Sequence, residues 1–118
     1  MDTFTDTYPA PGEVTATSRQ VAGWYAAHAL YLLGRAARRE ELHGTRDTDA
    51  RNLAALADAK AGTAYALHAT DSDACADHIA HMLLTGRAAV GATEHRTTAI
   101  AKRGGYDPHK TRRAGYES

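Results

Sequence analysis

Alanine supplies 26 of the 118 residues of this chain, whereas leucine, isoleucine, valine and phenylalanine together supply 15. Alanine is the strongest helix former and loses no side-chain entropy on ordering, but it buries little apolar area. A chain of this make-up is driven into helices and is short of the bulk that holds helices together. Its helices must therefore approach closely, and the shortage of bulk points to completion by another protein or by a second copy of the chain, a homo-oligomer.

At this length one domain is expected. The large aliphatics make up about 13% of the chain, beneath the roughly 20% level that accompanies disorder, but the high net charge that goes with disorder is absent, since 14 basic and 14 acidic residues cancel. The one cysteine, Cys75, excludes an intrachain disulfide and suits a reducing compartment. The N-terminus has Asp2 and Asp6, no basic opening and no early apolar run, so no export signal is read there. The longest uncharged apolar stretch, Gln20 to Gly34, is too short to span a bilayer, which needs about 20 residues. No membrane partner is expected, and the location expected is cytoplasmic. Eleven arginines against three lysines, with one asparagine and two isoleucines, fit the codon usage of a GC-rich bacterial genome or one of its mobile elements.

Periodicity and capping residues divide the chain. Residues 1–16, with Pro9, Pro11, Gly12 and a run of Thr and Asp, read as a flexible tail. Thr17 and Gln20 have the spacing of a capping box. Val21, Trp24, Tyr25, His28, Tyr31 and Leu32 then recur at helical intervals, and Gly44 stands where a left-handed stop belongs. Asp47 or Thr48 caps a second helix with Leu53, Leu56, Lys60, Ala64 and Leu67 along one side. Thr70 and Asp73 open a third, with the stripe Cys75, Ile79, Met82 and Leu83, closed by Gly86. A fourth runs from Arg87 to Arg103 with Val90, Thr93, Thr97 and Ile100 in phase, and Gly104-Gly105 stops it. Residues 104–118 lack an apolar period and read as a basic flexible tail. The fold expected is all-α, a small antiparallel bundle of three to four helices over residues 17–103, with flexible tails at both ends.

Three groups of residues bear on chemistry. His28-Ala29-Leu30-Tyr31 and Tyr65-Ala66-Leu67-His68 carry the same residues in reverse order, and in an antiparallel pair they suggest a pocket of Trp24, His28, Tyr31, Tyr65 and His68. A histidine there suits proton transfer near neutrality. The plainer reading is that Tyr and His fill gaps in an alanine-rich bundle. Cys75, His78 and His81 are zinc-ligand types spaced by three, but successive steps of three drift about 60° around a helix and no second cysteine exists, so no metal is assigned. Glu40 and His43 have the Glu-x-x-His spacing of di-iron bundles without the second motif such a site needs. No cofactor is expected.

The third group is charge. Residues 1–86 carry 7 basic and 11 acidic side chains, and residues 87–118 carry 7 basic and 3 acidic. Arg87, Arg96, Lys102, Arg103, Lys110, Arg112 and Arg113, interleaved with Tyr106 and Tyr116, suit contacts to nucleic acid. A helix-turn-helix placed on residues 76–96 fails because the turn glycine falls late. No phosphate loop, dinucleotide fingerprint or nucleophile elbow is present. The expectation is a non-enzymatic helical accessory protein that binds another protein or itself, with Trp24, Tyr25 and Tyr31 as anchors. The alternative is a nucleic-acid-binding accessory protein using the basic C-terminal region. More distant is a His- or metal-dependent enzyme.

Overall fold

The computed structural model describes residues 4–10, 18–69 and 90–118. Among these residues there are five helices and no strand: α1 (Phe4–Thr7), α2 (Ser18–His43), α3 (Thr48–Ala69), α4 (Val90–Arg103) and α5 (Pro108–Glu117). The protein is all-α. The helix expected from residues 70 to 86, with Cys75, His78 and His81, lies outside the described residues, as does Arg87.

Local chemistry accounts for the ends of α2 and α3. Gly44 adopts φ +91°, which residues with a Cβ rarely tolerate, and its N–H closes onto the Glu40 carbonyl at 2.8 Å. Asp47 then accepts the Ala50 N–H at 3.0 Å and so caps the start of α3. The same carboxylate takes Arg39 Nε at 3.1 Å, and the Arg39 guanidinium also reaches Asp49, so one arginine fastens the two ends of the turn. Across this hairpin Lys60 sits over the Tyr25 ring, which sets α2 and α3 antiparallel.

α2 is the centre of the fold. From Ala22 to Leu32 every residue but Tyr25 is buried, because α3, α4 and α5 all pack on this one helix and touch each other only at their margins. A helix apolar on all sides belongs inside. Two glycines make the close approach possible. A Cβ on Gly23 would lie 2.5 Å from the Cα of Gly104, at the end of α4. A Cβ on Gly34 would lie 2.9 Å from the Tyr116 nitrogen and inside the Arg112 carbonyl oxygen, both in α5. Positions 23 and 34 are 11 residues apart, close to three turns, and therefore share a face.

The alanines of α2 (Ala22, Ala26, Ala27, Ala29, Ala36) are buried within this chain. Two expectations are corrected here. The inward stripe of α3 is Ala50, Ala57, Ala61, Ala64 and Tyr65, whereas Leu56 is 44% exposed. Alanine thus fills most of the inward positions of α3, with Tyr65 as the one large side chain among them. The tails are structured in part: Phe4 is fully buried, and residues 108–117 form a docked helix.

No helix among the described residues is long and apolar enough to cross a membrane.

Candidate functional site

The helix α4 ends in a complete glycine stop. Gly105 is left-handed (φ +94°), its N–H bonds the Lys102 carbonyl at 3.1 Å, and the Tyr106 N–H bonds the Ala101 carbonyl at 3.0 Å. After a turn of three residues, Asp107 caps the start of α5. Its carboxylate accepts the N–H groups of His109 (3.0 Å) and Lys110 (3.1 Å), and Pro108 occupies the first helical position, where its missing N–H costs nothing. The hydrogen bond from the Lys110 N–H, more than any other influence, holds the Asp107 carboxyl below the usual carboxylate range.

One side of α5 meets α2. Thr111 and Gly115 are buried, and a Cβ on Gly115 would fall 2.7 Å from the Tyr31 carbonyl carbon. The other side faces solvent and carries His109, Lys110, Arg112 and Arg113, with Glu117 as its one acidic residue. Lys102 and Arg103 are exposed at the end of α4, just before the turn into α5. Arg38 of α2 lies 5.4 Å over the Tyr116 ring, and the Tyr116 hydroxyl donates to Glu41. Among the described residues, Lys102, Lys110 and Arg113 have no ion-pair partner. Arg103 approaches the His68 ring at 3.3 Å. The result is a helix–turn–helix with a glycine-bearing turn and a cationic second helix, assembled on α2.

Of the seven basic residues singled out by charge, Lys110, Arg112 and Arg113 are exposed on α5, and Lys102 and Arg103 are exposed at the end of α4. Arg96 is half-buried beside the Tyr65 hydroxyl, with Nη1 buried and lacking a hydrogen-bond partner among the described residues. The signal for α5 was present in the sequence as Asp107-Pro108, a cap followed by proline at the first turn. Thr111 and Gly115, small and four apart, mark its docking side, with Ala114 half-buried beside them.

The aromatic and imidazole group is divided by the fold. The hairpin register leaves His68 two to three turns, roughly 12–16 Å, beyond the level of His28. Trp24, His28 and Tyr31 do gather, but around Phe4 of α1: the Phe4 ring stacks on His28 at 4.4 Å and 9°, with Trp24 at 5.6 Å and Tyr31 at 5.5 Å. Tyr65 instead bonds Thr97 of α4 at 2.9 Å in a buried contact, and burial raises its phenol above the ordinary value. Trp24 and Tyr31 are 8% and 2% exposed, so of the three expected anchors only Tyr25 reaches the surface in part, under Lys60. Glu40 and His43 are exposed at the end of α2. Among the described residues no three His, Cys, Asp or Glu side chains converge as a metal would need.

A second concave feature lies along the α2–α3 hairpin. Arg35, Arg39, Asp49, Asn52, Leu53 and Leu56 line a groove of roughly 300 Å³. Comparison with protein-family models, with curated proteins and with solved structures finds no match to this chain.

Proposed function

We propose that this protein acts by binding, and that its basic helix–turn–helix engages the phosphate backbone of nucleic acid. The observation that carries the reading is the solvent-facing side of α5. Lys110, Arg112 and Arg113 stand there together, with Lys102 and Arg103 exposed at the end of α4, while the acidic Asp107 is turned back into its own cap. Sequence-independent affinity for nucleic acid comes from such cations displacing counterions. The Asp107 carboxylate occupies the N-terminus of α5, so the flank of the helix, and not its tip, would meet the phosphates.

The test is a titration of fluorescent duplex DNA and of single-stranded RNA over a range of salt. Five phosphate contacts on duplex give a log–log salt slope near −4.5, from about 0.9 per contact. Changing Lys110 and Arg113 together to Ala is expected to lower the magnitude of that slope by about 1.8. Absence of binding to either nucleic acid at low salt would refute the reading.

The second reading is association with another protein or a second copy. It is favoured by Leu56, 44% exposed on the lip of the hairpin groove, with Leu42 58% exposed at the end of α2. Sedimentation at rising concentration tests it. Self-association weakened by Leu56→Asp would support it, and a monomer at all concentrations would remove the homo-oligomer.

A further inference from the structure

The N-terminal segment holds on to the body chiefly as a ligand would, through inserted side chains. The helix α1 has four residues, too few to be stable alone. Phe4 is nonetheless fully buried, with the rings of Tyr8, Trp24, His28 and Tyr31 all within 5.6 Å of its centroid. Tyr8 also secures the segment. The Trp24 indole N–H donates to the Tyr8 carbonyl at 2.8 Å, and the Tyr8 ring meets Tyr106 edge-on at 6.0 Å.

We propose that Trp24, His28 and Tyr31 form a cage for an uncharged aromatic ring, that Phe4 is its intramolecular occupant, and that a ring supplied from outside takes the site when the N-terminal segment lifts. Offset and edge-on ring contacts are the chemistry such a cage selects. His28 gives the flat floor at 9° to the occupant, and Trp24 and Tyr31 give walls tilted at 53°. α1 and α2 are separate helices, Phe4–Thr7 and Ser18–His43, with thirteen residues of chain between Phe4 and Ser18. Its return competes with an outside ring as a tethered ligand at its own effective concentration. Because Tyr8 leaves with it, occupation from outside also uncovers Tyr106, in the turn that leads into α5.

Two measurements decide the matter. In the unaltered chain, the Trp24 indole proton is followed by hydrogen exchange in low urea. The expected result is exchange at least tenfold faster than that of the slowest α2 amides and insensitive to urea, the mark of local opening. Exchange at the α2 rate with the same urea dependence overturns the proposal. In the second measurement Phe4→Ala is melted with toluene, and separately with a peptide of residues 4–10. Either additive raising the Tm of the variant, and that of the unaltered chain by a smaller amount as competition with the tethered Phe4 requires, supports the cage; an unaltered chain that does not respond at all overturns the exchange. Toluene alone acting indicates a site for small rings, and the peptide alone indicates an aromatic side chain on a segment. A folded variant that responds to neither, or a variant that cannot fold, overturns the proposal, because Phe4 is then a fixed part of the core.

Discussion

Replacing Gly115 by alanine tests the packing logic of this molecule, because helix propensity and tertiary geometry demand opposite outcomes. By propensity alone the change stabilises a helix by up to about 1 kcal/mol. At this site the new methyl would overlap the Tyr31 carbonyl oxygen and lie 2.7 Å from its carbon. Ordinary contact begins near 3.4 Å, so α2 and α5 must move apart or α5 must detach. Overpacking of this kind costs about 1–3 kcal/mol. Detachment gives no relief, since a helix of 10 residues falls below the roughly 12–15 needed for marginal stability in water. The net expectation is a loss of about 1–2 kcal/mol, or roughly 3–8 °C in Tm for a domain of this size.

Gly62→Ala provides the opposite sign in the same chain. Gly62 is exposed inside α3 and nothing lies within 4 Å of its Cβ position, so alanine there gains about 1 kcal/mol. Both variants are read by circular dichroism melts and urea titration. Gly34→Ala is expected to behave like Gly115→Ala, and the double variant to cost less than the two losses combined, because either methyl parts the same helix crossing. A Gly115→Ala protein as stable as the parent, with α5 still protected from exchange, would refute the close crossing.

Acid is expected to loosen the two caps. Asp47 is held below the carboxylate range chiefly by its hydrogen bond from Arg39, and Asp107 chiefly by the Lys110 N–H. A depressed carboxylate contributes stability that is present above its unfolded value near pH 4 and lost as pH falls through the lower folded value. Helical signal should therefore fall below about pH 4, and Asp107→Asn, whose amide oxygen still caps, should reduce the part of that fall owed to α5. Alkali acts through Tyr65 and Tyr106, whose phenols burial raises. Their contribution is intact below about pH 10 and is lost as pH rises through the folded value, so Tyr65→Phe should flatten the alkaline decline in stability. At neutral pH the same change loses the hydrogen bond to Thr97 and is expected to cost about 1 kcal/mol by urea titration.

Local signals and long-range ones were unequally legible in the sequence. Gly44, Asp47 and Gly104-Gly105 act on backbone within a few residues, and the ends of α2, α3 and α4 follow from them. Thr97 and Ile100 lie inward as their phase suggested. The stripe of α3 was misplaced because leucine is the usual inward residue. Here alanine takes most of the inward positions and Leu56 is turned out. α5 was missed for a related reason. Its docking side is Thr111 and Gly115, which carry no apolar signal, and only the Asp107-Pro108 cap marked it. The cage around Phe4 lay further out of reach. Trp24, His28 and Tyr31 were legible as one face, but their filler comes from a short segment some 20 residues earlier, and nothing local ties Phe4 to them.

Alanine abundance has a different meaning once these contacts are known. Where bulk is scarce, apolar area is buried by bringing backbones together, and glycine at the crossing points sets how near they come. The basic surface inherits that dependence. Lys110, Arg112 and Arg113 are held as one face only while Gly115 lies against Tyr31. Two kinds of variant should therefore separate. Lys110→Ala with Arg113→Ala removes exposed charge, leaves stability within about 0.5 kcal/mol and reduces the salt slope. Gly115→Ala keeps every charge, lowers stability, and weakens binding only as far as α5 loses its order. If Gly115→Ala instead melted α5 and left affinity and salt slope untouched, the cations would be acting as an unstructured string, and the folded helix would have no part in recognition.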